Sequence, residues 1–280
     1  MIHKHLQILI LSAVLMHTGG CSYNNTLEGL SSGILNENDP QLVSEGLPSY
    51  LLVLDGLLEG DPDNVHLLLS ASRLYGAYAS TFVSEPERAR KLASKARDYA
   101  HHALCLKLEK ICAVLAAPVP SLEMALNDNK GDHLDILYGF DVAWVTWIQQ
   151  NSQDWGAIAD LPKTEAIFRH IIRFDPAYDH GNVQLYMAVL SSQRPAALGG
   201  KPEAGRAYFE KAIEYSDGKN LMAKVLFAQY YARLVFNRPL HDQLLRDVLN
   251  TPARSPGLTL INTLAKQQAK QLLESADDYF

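Results

Sequence analysis

Three sets of residues in this 280-residue chain have types and spacing that could do chemistry. His101, Cys105 and Cys112 recur at intervals of four and seven, so an unbroken helix would set them along one stripe. A soft metal ion accepts such ligands. On a straight helix the two cysteines would be separated by about 10.5 Å of rise, too far to share an ion or to meet the ~7 Å Cα limit of a disulfide. A kink near Lys110 would allow a bridge, and an exported protein would oxidise it. A disulfide, buried free thiols and a metal site are the three readings, and no metal is assigned.

The second set is Asp141, Trp144 and Trp147, each one helical turn from the next. It reads either as core packing with Asp141 at a rim or as an apolar pocket wall carrying one acceptor. The third set lies in 220–236, where Met222, Phe227, Tyr230, Tyr231 and Arg233 cannot all face one neighbour. An arginine on so apolar a helix calls for a carboxylate partner or an anionic ligand. Asp141, Trp144, Trp147, Tyr230, Tyr231 and Arg233 are therefore the candidate ligand-binding residues. Asp179-His180 opens a helix and either caps its free amides or lines a site.

No catalytic arrangement accompanies them. Leu198-Gly199-Gly200-Lys201-Pro202 resembles a phosphate loop only in passing, because that motif needs Gly at 195 and Ser or Thr at 202, and both positions are Pro. A helix-starting corner is the better reading. There is no nucleophile with an adjacent base, no zinc-type His/Glu spacing and no paired carboxylates, so the chain reads as non-enzymatic and without a cofactor. A net charge of −6 and the lack of a long Lys/Arg run argue against nucleic acid as a partner.

The elements that would position these residues are helices. Apolar residues recur at helical spacing from Leu51 onward, and no segment alternates convincingly as a strand. Expected helices run over 26–35, 49–59 after a split at Pro48, 65–83, 86–107, 122–126 and 133–149. Further helices are expected from Pro162 to Phe174 and over 178–192, 202–216, 220–236, 240–249 and 259–276. Ser84 should cap the helix at Pro86. Leu54-x2-Leu57-x4-Pro62 and Phe168-x2-Ile171-x4-Pro176 share one spacing, and Phe209-x2-Ala212-x4-Asp217 shares it with the Pro lost. That is the second-helix half of a tetratricopeptide unit. The expected fold is all-α, a right-handed stack of helical hairpins forming a tetratricopeptide-like solenoid over 41–280.

The N-terminus reads as a targeting segment. Lys4 precedes an apolar run, Leu6 to Met16, too short to span a bilayer, and Thr18-Gly19-Gly20-Cys21 follows like a bacterial lipobox. The expectation is a signal peptide over 1–20, with Cys21 lipidated and 21–40 as tether. Two acyl chains would hold the protein stably on a membrane. Ser22, where an Asp would favour the inner membrane, tilts the placement toward the outer one.

Several blocks of the chain resemble the TRAP transporter T-component family. They are Asp175-Pro176-x-Tyr178-Asp179-His180-Gly181, Pro195 to Pro202, Phe209-Glu210, Asn220-Leu221, Tyr230-Tyr231-Ala232-Arg233, Leu137-Tyr138 with Ala143-Trp144, Leu161-Pro162, Leu244-Leu245 with Val248-Leu249, and the tail from Asn262 to Phe280. The resemblance covers roughly 65–280. It implies a periplasmic lipoprotein of tetratricopeptide-like hairpins that partners a periplasmic solute-binding protein. It also implies a homotrimer with a pore in each subunit and small hydrophobic organic acids as ligands. Two departures stand out: Thr18 replaces the usual Leu of the lipobox, and the repeats lack the standard Trp/Gly signature. The expected role is an accessory lipoprotein of a TRAP-type import system that docks the solute-binding protein and passes a hydrophobic or carboxylate ligand. The alternative is a tetratricopeptide scaffold lipoprotein for envelope or outer-membrane assembly.

Overall fold

The computed structural model describes residues 29–193 and 200–280. The expected signal peptide, Cys21, most of the tether and the corner from Pro195 to Gly199 lie outside the described residues. Within them all regular structure is helical. After a helical stretch at 29–36 come α1 (Pro40–Gly60), α2 (Val65–Thr81), α3 (Pro86–Lys107), the short α4 (Glu109–Cys112), α5 (Val119–Asn129) and α6 (Leu134–Gln150). The short α7 (Trp155–Ala159), α8 (Leu161–Phe174), a tight turn at Tyr178–Gly181, α9 (Asn182–Ser192) and α10 (Pro202–Tyr215) follow. The chain then forms α11 (Leu221–Leu226), which widens into a π-helical segment (Phe227–Ala232), and ends with α12 (Arg238–Asn250), α13 (Thr259–Glu274) and α14 (Ala276–Tyr279).

Proline does not split the first helix. Pro48 sits inside α1, and Val43, Leu47, Leu51, Leu54 and Leu58 run along one buried stripe across it. Keeping that stripe on one face outweighs the backbone hydrogen bond that a proline cannot donate. Asp39 caps the helix, accepting from the Gln41 and Leu42 amides. The expected Ser84 cap is not formed, since Glu85 holds the cap position of α3 without a side-chain hydrogen bond. Pro120 starts α5 rather than breaking it, and that helix runs longer than the expected 122–126.

Helices that are neighbours in sequence pair in space: α2 with α3, α9 with α10, and α12 with α13. A large core gathers α1 to α9, with Leu54, Leu104, Leu137, Ile167, Phe168 and Ile171 fully enclosed. Two smaller clusters complete the C-terminal part. One joins Phe209 and Phe227, the other Leu221, Leu245 and Ala265. The three repeat-spaced positions behave alike, with Leu54, Phe168 and Phe209 all buried near the ends of α1, α8 and α10. Not every contact is between neighbours: α2 and α3 both pack on α6, α13 touches α1, and the Gly257 amide donates to Asn36 Oδ1 at 2.8 Å. The C-terminal helices thus reach back to the first ones.

Close approach is demanding between α9 and α10. A Cβ on Gly205 would stand 1.9 Å from Ser192 Oγ and 3.0 Å from the Ala188 carbonyl oxygen.

Candidate functional site

The helix α6 carries an aspartate on an almost wholly apolar element. Asp141 is fully buried, and neither carboxylate oxygen has a hydrogen-bond partner among the described residues. An ionised carboxylate there would cost far more than a neutral one. Burial accordingly pushes its pKa well above the ordinary 3.8 and favours the neutral carboxylic acid. It has one O–H to donate and free acceptor capacity.

Around it the chain assembles tyrosines from three elements. Tyr138 lies one turn earlier on α6, Tyr178 comes from the turn before α9, and Tyr186 lies on α9. Tyr138 meets Tyr178 at 5.0 Å and Tyr186 at 6.2 Å between ring centroids, and Tyr186 stacks on Phe168 of α8 at 5.1 Å. Burial raises the Tyr186 phenol, with a smaller contribution from the negative charge of Asp179. Burial also raises Tyr138, whose hydroxyl donates to Asp179 Oδ2 at 2.6 Å.

The turn that supplies Asp179 is strained. Asp179, His180 and Gly181 take φ of 51°, 53° and 84°, three successive residues in the left-handed region. Such a conformation costs roughly 1–2 kcal/mol for each non-glycine residue. Three contacts hold it. Tyr138 and Asn182 Nδ2 both donate to Asp179, and Gln184 Nε2 donates to the Pro176 carbonyl at 2.7 Å. Gly181 is also pressed against α10, where a Cβ would lie 2.9 Å from Tyr215 Cβ. Asp179 thus serves the tyrosine cluster and not the helix amides. Backbone strain concentrated beside an unpaired buried acid marks this region as the candidate site.

The sequence-predicted residues divide into two groups. Asp141 and Trp144 lie in the large core, where Trp144 packs on Phe140 at 5.2 Å. Asp141 is at the centre of the packing and not at a rim. Trp147 turns toward α3: its Nε1 donates to Ser94 Oγ at 3.1 Å, and the Arg97 guanidinium stacks 3.9 Å over its ring. Tyr230 and Tyr231 belong to a different cluster, with Phe209 and Phe227. Tyr231 donates to Glu203 at 2.9 Å, while burial raises the half-buried Tyr230.

Arg233 finds its partners inside the chain. It donates to the Leu272 carbonyl at 3.1 Å and Ser275 Oγ at 3.0 Å, and its guanidinium lies 4.7 Å over the Tyr279 ring. The expected carboxylate partner is absent from its ion pairs among the described residues. Backbone carbonyl, hydroxyl and ring take its place. The π-helical widening precedes it, with the Arg233 amide reaching back to Ala228 at 3.1 Å.

Sequence reasoning missed Tyr178 and Tyr186 as members of the site. The signal available was the Tyr178-Asp179-His180-Gly181 block, whose strain appears only in three dimensions.

A model of the TRAP transporter T-component family matches residues 36–280. The chain belongs to that family. It is a transport accessory family, which places the chain in association with a TRAP transport system and with the cell envelope. The match includes every residue of the tyrosine site and both helices, α6 and α11, singled out above. No curated protein matches the chain. Among the described residues no helix is long and apolar enough to cross a membrane.

Proposed function

We propose that this T-component protein is a non-enzymatic accessory lipoprotein of a TRAP-type periplasmic solute import system. It docks the system's solute-binding protein and handles a small ligand with an apolar body and a carboxylic acid head. The observation that carries the ligand part is Asp141: a buried carboxyl whose burial favours its neutral form and that has no partner among the described residues, one turn from Tyr138, which packs on Tyr186. A second carboxylic acid supplies the donor and acceptor that Asp141 lacks, and the rings accept its hydrocarbon part. Tyr230 and Tyr231 would line a separate apolar stretch of the ligand's path, near the π-helical widening. Such widenings often accompany functional sites.

Docking is supported by the outer face of α1. Leu42, Leu52 and Val53 are exposed there, and Gly46 and Gly56 on the same helix have open space above them. Exposed apolar surface of this kind fits a protein partner. The repeated burial of Leu54, Phe168 and Phe209 supports a right-handed stack of tetratricopeptide-like hairpins. Lipidation at Cys21 after removal of 1–20 would tether the protein on the periplasmic side of a membrane, by preference the outer one, and a homotrimer is the assembly the family resemblance implies.

The test is binding between the purified protein and the TRAP solute-binding protein of the same cell. The expected result is a complex at about micromolar concentration, weakened by Leu52→Asp with Val53→Asp. No complex at that concentration contradicts the docking role. A groove that binds extended peptides instead would favour the envelope-scaffold reading.

A further inference from the structure

The straight-helix argument against a shared site for His101, Cys105 and Cys112 does not hold in the folded chain. The helix breaks at Leu108, where φ is −128° and ψ is 53°, two residues before the expected kink at Lys110. The break folds α4 back beside the end of α3. Cys105 and Cys112 come to a Cα separation of 5.0 Å and form a disulfide. The bridge brings a third group with it. His101 Nε2 stands 3.5 Å from Cys105 Sγ and 3.9 Å from Cys112 Sγ, and the ligand atoms of all three residues lie within 4.8 Å of one another.

The shorter of those nitrogen–sulfur separations is the one a tetrahedral ion imposes, and the longer is within 0.5 Å of it. Bonds of about 2.0–2.1 Å to nitrogen and about 2.3 Å to sulfur, meeting near the tetrahedral angle, put the two ligand atoms roughly 3.5 Å apart. We propose that, when the Cys105–Cys112 bridge is opened, His101, Cys105 and Cys112 form a binding site for a soft d10 metal ion such as zinc or cadmium. The site is thus open to metal only in the reduced protein.

The backbone arrangement does not depend on the bridge. Leu104, Leu108 and Ile111 are all buried and anchor both sides of the break in the main core. The His101 ring packs against Phe140, with 6.1 Å between centroids. After reduction the sulfurs therefore remain close and need only side-chain rotation to open from bonding distance to ligand spacing. His101 is exposed and both cysteines are partly exposed, so an ion has access.

The chemistry balances with a dithiol reductant. One of its thiolates attacks a bridge sulfur and the S–S bond breaks. The second reductant thiol then displaces the mixed disulfide. Two electrons and two protons pass to the protein, leaving two cysteine thiols and an oxidised, cyclic reductant. A divalent ion next displaces both thiol protons and binds two thiolates and the imidazole. The ion's double charge is neutralised, and one coordination position stays open for water or an outside ligand.

The test uses the full-length protein with cadmium as probe, followed by thiolate-to-cadmium charge-transfer absorption under anaerobic conditions. The reduced wild-type protein should take up one ion per chain, and the oxidised protein none. Cys112→Ser should abolish the absorption. His101→Ala should weaken affinity by more than about tenfold, the scale on which even outer-shell changes act at metal sites. Helical circular dichroism checks that each variant is folded. Equal uptake by oxidised and reduced protein, or by the reduced wild type and Cys112→Ser, overturns the proposal. Unchanged affinity in His101→Ala removes the histidine and overturns the three-ligand site.

Discussion

Asp55 is partly exposed and Asp141 fully buried, each near tyrosines, and they behave in opposite ways. Asp55 on α1 is the centre of a knot that ties three helices. It accepts from Tyr75 of α2 at 2.7 Å and, on α3, from Lys95 at 2.6 Å and Tyr99 at 2.7 Å. Burial alone would raise its pKa, but the bonds from Lys95, Tyr75 and Tyr99 outweigh that, and the net shift is downward. The same knot pushes Tyr99 up to about 12, through burial and then its bond to Asp55. Asp141 has burial and no donor, so its shift is upward. The first carboxylate is fully used in holding the fold. The second is held by the fold and used by nothing within it, and spare hydrogen-bonding capacity in a dry interior is what a ligand site needs.

Substitution separates the two most sharply. Asp55→Ala strands Lys95 and two phenols at once and should cost about 1–3 kcal/mol, read as a lower urea midpoint with an unchanged slope. Asp141→Val removes an unsatisfied polar group with a smaller volume change than Leu and should leave stability unchanged or raise it by about 1 kcal/mol, while weakening binding of a carboxylic acid ligand. A large loss of stability in Asp141→Val would mean that this carboxyl has a structural partner after all.

Acid and base sharpen the contrast with opposite signs. Asp141 has a folded pKa above its ordinary 3.8, so its contribution is complete below 3.8 and is lost as pH rises through the folded value. Asp55 has a folded pKa below 3.8, so its contribution is complete above 3.8 and is lost as pH falls through that lower value. Unfolding free energy measured against pH should therefore lose its downward slope above pH 3.8 in Asp141→Asn and its acid-side fall in Asp55→Asn. A further substitution concerns packing outside both regions. Gly205→Ala forces a Cβ against the Ala188 carbonyl and Ser192 and should cost about 1–3 kcal/mol without altering either pH slope.

The sequence showed much of this frame and little of its chemistry. Helical periodicity located most of the elements, because a helix must keep one apolar face toward its neighbours. It failed at Pro48, where a continuous buried stripe overrides a local breaker; the break at Leu108 falls two residues before the considered kink at Lys110. Which of the three readings of His101, Cys105 and Cys112 holds depended on where that kink falls. Asp141 was legible as unusual from its apolar surroundings, but whether it is paired depends on neighbours from other helices. The same holds for Arg233, whose partners lie on α13 and beyond it. The left-handed strain at Asp179 and His180 has no one-dimensional signature, since both residue types occur in ordinary helix starts.

Infrared spectroscopy of the carboxyl groups at neutral pH tests the reading of Asp141 most directly. A difference spectrum of the wild-type protein against Asp141→Asn should contain the carbonyl stretch of a protonated carboxylic acid, and that band should shift when a medium-chain fatty acid is added. A spectrum showing only carboxylate bands at this position would mean that Asp141 is ionised and paired, and the neutral-acid ligand site would be wrong.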